Sequence, residues 1–350
     1  MSPWLPWLAA AGAAALASSV FVRVLLPVLA RRAVLDVPVE RSLHDSPVPR
    51  GGGLAVLGGA LVGVLLAAVV GLPGGLTARE VGVSGALLAL VPVTVLAAVG
   101  FADDLRSVSA GPRLLLQVLV GTAIGCGLVA WLDASWVWVP LVLVLTVLLV
   151  NVTNFMDGAN GLTSGHAVVA GLWYAAAAAG TDLPGAVVLA LAVAGASAGF
   201  VPSNAPVASI FLGDVGSYAL GATWAVLASW LVLGGARVDV VLAPLAVLLA
   251  DAGTTLVRRL AVGDRVTQPH RLHVYQRLVR GGWSHVRVAS LVMGVTVVIC
   301  LLSVPSLLGA PLVVRMVSGV LTALLLAGYL ALPARVGPAA RWRTVREASR

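Results

Sequence analysis

The sequence predicts an all-α protein, a polytopic transmembrane helical bundle of about eleven spans. Three observations carry that expectation. Hydrophobic residues make up 60% of the chain and charged residues only 10%, whereas a soluble domain carries about a quarter charged residues. The mean hydropathy is +1.03. Apolar runs long enough to cross a bilayer, about 20 residues each, recur along the whole chain. One water-facing core cannot hide that many apolar side chains, so the solvent for most of the chain is lipid.

Taken in order, glycine, proline and charged residues delimit spans at 5–29, 54–72, 81–101, 113–132, 136–152, 165–181, 184–203, 216–234, 239–257, 288–308 and 311–332. The run at 136–152 is short, and ten spans remain if it does not cross. The first stretch is long and lacks a basic leader, so it reads as a retained span rather than a cleaved signal peptide. Cys126 and Cys300 sit inside apolar runs and read as small core residues, not as a disulfide. Residues 1–332 therefore form one membrane-embedded domain, and 333–350 form a basic tail.

Charge orients the bundle. The chain has 22 arginines and no lysine. Eighteen of the arginines fall on one side, in 30–53, 102–112 (with Arg113 at its boundary), 258–287 and 333–350. The other side holds Arg79, Arg237 and Arg315. The positive-inside rule makes the first side cytoplasmic. An odd number of spans then places the N-terminus outside and the C-terminus inside. A net charge of +8 on such a chain fits anionic lipid headgroups; nucleic acid is not an expected partner.

The polar chemistry is confined to that arginine-rich side, in the loops 30–53, 102–112, 153–164, 204–215 and 258–287. The first loop carries His44 and then Pro49-Arg50-Gly51-Gly52-Gly53. Glycines let backbone N–H groups approach an anion, and arginine grips phosphate bidentately. The same glycines also serve a plain helix entry. Asp103 and Asp104 end a span at the membrane edge, facing the negative end of the helix dipole, a costly placement that a divalent cation would relieve; a solvated interfacial pair beside Arg106 is the plainer reading. Asn151, Asn154, Asp157 and Asn160 recur every third residue, which on a helix lines one face. Such a stripe can glue helices, but this one continues into a Gly-flanked turn, which favours a site lining. Asp214, in Phe211-Leu-Gly213-Asp214, reads equally as a metal ligand or as an N-cap for a helix starting near Gly216. The last loop holds His270, Arg271, His273 and His285 among further arginines. Imidazole and guanidinium together suit a polyanion, whereas a basic interfacial helix explains the arginines alone. Asp251, inside a span, is within reach of Arg258. Carboxylates for a divalent metal and a basic, Gly-rich surface for phosphate, all on one face, point to metal-assisted phosphoryl chemistry.

Five segments then resemble one family in order: PRGGG at 49–53, FADD at 101–104, NVTNFMDGANGL at 151–162, FLGDVGS at 211–217 and HRLHVYQRL at 270–278. Together they resemble the polyprenyl-phosphate N-acetylhexosamine-1-phosphate transferases. The last segment is similar to the branch that initiates O-antigen and other surface polysaccharides. The peptidoglycan branch carries a triple-histidine pattern there. Asn160 departs from the family, where many relatives have a second Asp. The resemblance implies transfer of N-acetylhexosamine 1-phosphate from a UDP-sugar to polyprenyl phosphate, at the cytoplasmic face of the cell membrane, with release of UMP. It implies Mg²⁺, or Mn²⁺ in its place, held by Asp214 with Asp157 or Asp103. It also implies catalytic roles for Asp103, Asp104 and Asp157, with either direct transfer or an aspartyl-phosphate intermediate. Asn154, Asn160, His270, Arg271 and His273 fall to the nucleotide sugar and its diphosphate, and His44 and Arg50 to the lipid phosphate. A homodimer stays open. The rival readings are the phospho-N-acetylmuramoyl-pentapeptide transferase reaction, a non-catalytic binder of the lipid carrier, and a membrane transporter, which would place polar residues and broken helices at mid-membrane.

Overall fold

In a bilayer a chain satisfies its own N–H and C=O groups only as helix or closed barrel, and this chain is helical almost throughout. The structure, a computed structural model, describes residues 4–38, 46–71, 82–106, 108–264 and 272–337. His44, His270 and Arg271 lie outside the described residues.

The helices are α1 (Trp4–Arg31), α2 (Gly53–Gly71), α3 (Val83–Arg106), α4 (Ala110–Leu132), α5 (Val139–Met156), α6 (Leu162–Ala179), α7 (Pro184–Asn204) and α8 (Gly213–Leu233). Then come α9 (Val238–Leu242), α10 (Ala246–Ala261), α11 (Val274–Arg280), α12 (His285–Leu307), α13 (Leu312–Ala331) and α14 (Pro333–Val336). A two-stranded ribbon, β1 (Leu35–Asp36) with β2 (Val48–Pro49), is antiparallel and pairs Leu35 with Pro49. Each of the eleven predicted spans matches a long helix or, for 239–257, a broken one. Ten candidate spans among the described residues are long and apolar enough to cross a membrane, and the multi-pass bundle is thereby established. The short run at 136–152 is real: a 3-10 turn at Trp136–Trp138 feeds α5, which continues to Met156.

The eleventh expected span, α6, is not among those ten, and its polar side chains have a structural use. The span expected at 239–257 is interrupted by a 3-10 turn at Ala243–Leu245, because Pro244 has no N–H to continue the helix. The carbonyls left there need donors. Helix α6 supplies them: Trp173 Nε1 donates to Val240 O at 2.8 Å, Tyr174 Oη to Val241 O at 2.9 Å, and His166 Nε2 lies 2.7 Å from Pro244 O. Non-helical backbone at this depth survives because protein, not lipid, surrounds it.

Helix α8 is the axis of the bundle, with Tyr218, Trp224 and Trp230 all buried. It packs on α2, α3, α4, α5, α6 and α7. Helix α1 is clasped from two sides by small residues. A Cβ at Gly59 or Gly63 would strike Ala14 O or Ala10 O, and one at Gly195 or Gly199 would strike Ala11 O or Ala15 O. Glycines four apart let backbones touch, the usual means of helix association where lipid removes the hydrophobic drive. Ser19 Oγ adds a hydrogen bond to Gly199 O at 2.9 Å.

Gly199→Leu should therefore force α1 and α7 apart, since its Cβ alone would sit 2.0 Å from Ala15 O. Overpacking of this kind costs about 1–3 kcal/mol or more, read as a lower melting temperature in detergent. Gly12→Ala, whose added methyl meets nothing within 4 Å, should stay within about 0.5 kcal/mol of the parent.

Candidate active site

Five chain segments converge at one end of α8: β2 and the turn after it, the end of α3, the start of α4, the end of α5, and the 205–213 connection. Their joining is largely backbone to backbone. Phe211 N–H donates to Pro49 O at 2.8 Å, Gly52 N–H to Phe211 O at 2.9 Å and Gly53 N–H to Leu212 O at 2.8 Å. Two of the three loop glycines thus spend their N–H groups inside the protein, which corrects the expectation that they cradle an anion. Their missing side chains matter instead: a Cβ at Gly53 would lie 2.1 Å from Gly216 Cα.

Asp104 is the pivot. Its Oδ1 accepts Asp214 N–H at 3.1 Å and its Oδ2 accepts Val215 N–H at 3.0 Å. These are orphan donors of the first turn of α8. The reading of Asp214 as N-cap is corrected: α8 starts at Gly213, and the cap comes from Asp104 on another helix. Gly213, at φ +74°, permits the close approach: a Cβ there would lie 2.7 Å from Asp104 Oδ2 and 2.8 Å from Gly51 N. Arg50 completes the knot, its Nη2 donating to Asp104 O and its Nε lying 3.8 Å from Asp104 Oδ1. The Asp104 side chain is 1% exposed.

Asp103 takes the other direction. Its Oδ2 is ion-paired with Arg113 Nη1, and Arg113 also donates to Tyr218 Oη at 3.3 Å. Sequence reasoning treated Arg113 only as one charge in a loop count. Its position ten residues after Asp103, across a tight turn between antiparallel helices, was the available signal. Asp214 Oδ1 accepts Asn154 Nδ2 at 2.7 Å, and the same nitrogen reaches Ser217 Oγ at 3.0 Å. Asn151, one turn deeper, donates to Gln117 Oε1 at 2.7 Å. The expected helical stripe holds through Asn154 and then ends, because α5 stops at Met156. Asp157 and Asn160 lie in the turn before α6, where Gly161 adopts φ +74°. Burial pushes the Asp157 carboxyl well above the usual carboxylate range, and the charges of Asp214 and Asp104 push the same way against the nearby Thr163 hydroxyl.

The turn is pinned from three sides. Asn204 Oδ1 accepts Gly161 N–H at 3.0 Å and Ser164 Oγ at 2.9 Å, His285 Nδ1 accepts Asn160 N–H at 3.2 Å, and Tyr275 Oη donates to Phe155 O at 3.0 Å. Asn160 Nδ2 donates to Pro206 O at 3.2 Å. Between turn and knot lies a cavity of about 140 Å³ lined by Asp36, Arg50, Asp104, Asp157 and Asp214 together with Asn160 and His285. Asp103 and Asn154 stand just behind this wall. His273 does not reach it: it is 4% exposed, with its ring stacked on Phe155 at 6.0 Å and Tyr275 at 5.9 Å. Asp251, expected near Arg258, instead faces His273 Nδ1 at 3.2 Å.

The donor set is all oxygen, with carboxylates and no thiolate, and suits a hard cation. Among the described residues, no three His, Cys, Asp or Glu side chains form a ready cage. Mg²⁺ needs none: it keeps several waters and takes one or two carboxylates plus substrate phosphates. Asp214 and Asp157 fit that requirement.

Comparison with known proteins shows the family. The model of glycosyl transferase family 4 matches residues 86–232. The chain is 31% identical over 324 residues to the decaprenyl-phosphate N-acetylglucosaminephosphotransferase of Mycobacterium leprae, covering 81% of this chain and 80% of that protein. It is 27% identical over 282 residues to the probable undecaprenyl-phosphate N-acetylglucosaminyl 1-phosphate transferase of Bacillus subtilis, covering 75% and 76%. A phospho-N-acetylmuramoyl-pentapeptide-transferase of Synechococcus sp. is 32% identical over 322 residues, covering 81% and 88%.

Capping by Asp104 makes a stability prediction. Asp104→Ala should leave two N–H groups of α8 without their acceptor, remove the carboxylate beside Arg50 Nε, and cost roughly 1–3 kcal/mol, read as a lower melting temperature. Asp214→Ala, which removes no cap, should cost less than about 1 kcal/mol in the same measurement.

Proposed function

This chain belongs to glycosyl transferase family 4, and from that premise we propose that it transfers N-acetylglucosamine 1-phosphate from a UDP-linked donor to polyprenyl phosphate. The observation that carries the proposal is the cavity that gathers Asp104, Asp157, Asp214 and Arg50 at the polar end of a lipid-embedded bundle. A water-soluble nucleotide and a lipid phosphate can meet only at such an edge. The arginine count supports a cytoplasmic position for that edge.

In the reaction an oxygen of the lipid phosphate attacks the sugar-bearing β-phosphorus of the donor. The bond from that phosphorus to the bridging oxygen breaks, and UMP leaves with the bridging oxygen. A phosphate monoester, with a second pKa of about 6, is already largely ionised at neutral pH, so no strong base is required. Positioning and charge neutralisation carry such transfers. Asp214 and Asp157 would hold Mg²⁺, which when bound supplies charge neutralisation at the diphosphate. Asn154 keeps the Asp214 carboxylate aimed by its hydrogen bond to Oδ1. Arg50 and Arg113 offer guanidinium groups to the lipid phosphate, Arg50 from the cavity wall and Arg113 from beside Asp103. His270 and Arg271, like His44, are carried as phosphate-binding residues by the family resemblance alone. Both oxygens of Asp104 accept backbone N–H groups, and Asp103 is ion-paired to Arg113. Neither is poised as a nucleophile, which favours direct transfer over an aspartyl-phosphate.

A UDP-N-acetylmuramoyl-pentapeptide donor is the second reading, favoured by the Synechococcus relative. Transport is disfavoured: the broken span at Pro244 has its freed carbonyls taken by α6 and offers no vacant ligands.

Membranes holding the protein should release UMP from UDP-N-acetylglucosamine only when polyprenyl phosphate and Mg²⁺ are both present. EDTA should abolish release and added Mg²⁺ or Mn²⁺ restore it. Release from the pentapeptide donor alone would move the protein to the second reading. Asp214→Ala should lower kcat at least ~100-fold, and Asn154→Ala, which only loosens Asp214, about tenfold. Full Mg²⁺-dependent turnover by Asp214→Ala would refute the metal assignment.

A further inference from the structure

Asp251 has no role in the chemistry above, yet it is the most thoroughly engaged acid in the bundle. It is 0% exposed, five residues into α10. Four donors from two other segments converge on its carboxylate. His273 Nδ1 lies 3.2 Å and Val274 N 2.9 Å from Oδ1, while Tyr275 N lies 3.4 Å and Tyr329 Oη 2.8 Å from Oδ2. A carboxylate opposite Nδ1 places the ring proton there and fixes the tautomer of His273. Ionisable groups at this depth are costly, and ones so fully engaged mark a function.

The engagement leads to the site. Val274 and Tyr275 open α11, so Asp251 fixes where that helix begins. Tyr275 Oη then donates to Phe155 O, and a Cβ on Gly158 would lie 2.2 Å from Tyr275 Oη. Phe155 and Gly158 flank Asp157, and the His273 ring packs between Phe155 and Tyr275. In the other direction, Tyr329 is the single fully buried residue of α13, which packs on α12 and α10, and its hydroxyl joins that helix to this carboxylate.

We propose that Asp251 is a positioning residue: through His273 and Tyr275 it sets the 155–158 turn, and so the Asp157 carboxylate, from behind the cavity. The inference rests on the reading of Asp157 as part of the phosphoryl-transfer site. A misplacement of about 1 Å costs on the order of 100-fold in rate, so the effect falls on kcat more than on donor KM.

Two arms test it on the full-length protein in lipid nanodiscs. In the first, amide hydrogen exchange is followed in Asp251→Asn, which keeps the size of the side chain. The expected result is exchange roughly tenfold faster across 155–161 as well as in α11. Faster exchange confined to α11 and the region of Tyr329 would overturn the inference, because the carboxylate would then serve local structure only. In the second arm, kcat and KM for UMP release are measured. Asp251→Asn should lower kcat ~10- to 100-fold with donor KM within about threefold, and Asp251→Asn/Tyr275→Phe should be no worse than the poorer single variant. Multiplying losses would mean separate routes and overturn the proposal. Gly158→Ala should be impaired by collision with Tyr275 Oη and partly rescued by Tyr275→Phe; no rescue counts against the contact. A wild-type protein that releases no UMP sinks the proposed reaction, whereas the exchange arm still decides the role of Asp251.

Discussion

The Asp104 carboxylate holds two free N–H groups of α8, and the polar end of the bundle is arranged around that contact. In water a helix N-terminus can be capped by solvent. At the edge of a membrane, beneath other helices, the donors must find a protein acceptor. Asp104 provides it from α3, while Arg50 joins both to the β2 segment. One carboxylate thereby registers three segments of the chain. It also fixes Asp214, because the residue whose N–H is capped is the residue whose side chain enters the cavity. Structural and chemical roles are split between neighbours: Asp104 spends both oxygens on backbone, whereas Asp214 meets side chains and lines the cavity.

The same demand for internal satisfaction explains the break at Pro244 and the composition of α6. Proline opens a gap in the hydrogen-bond ladder, and His166, Trp173 and Tyr174 close it. Helix α6, which carries those residues, is not among the ten helices long and apolar enough to cross. Its polarity is therefore structural, and it lies away from the cavity. Polar residues in this bundle fall into two populations, one that repairs backbone and one that lines the site. Only the hydrogen-bond partners distinguish them.

Much of the architecture was legible from apolar run lengths, because lipid enforces a simple rule: a run long enough to cross becomes a helix that crosses. Ten of the eleven expected spans are helices long and apolar enough to cross, including the short one ending at Met156. The site was legible as a set of residue types on one side. Its internal division of labour was not. Asp214 beside a helix start looks like a cap, and Asp104 at a helix end looks like a ligand, yet their geometry assigns the cap to Asp104. His273 stands in a motif beside arginines and reads as a phosphate binder, but it stacks between two aromatic rings behind the cavity wall. Arg113 was passed over because ion pairs across a helix–helix turn leave no periodic trace.

The sequence by itself determined that this is a multi-pass membrane protein, that its reactive groups share one face, and which family it resembles. Each of these follows from composition, run length or local order, which survive without knowledge of contacts. Only the tertiary structure decided which acid caps α8, which acids face the cavity, and which buried carboxylate supports the turn that carries Asp157. Those assignments depend on where donors from distant segments meet. Asp251 and Tyr329 are 78 residues apart, and no local pattern in either helix announces that one hydroxyl and one carboxylate will share a hydrogen bond.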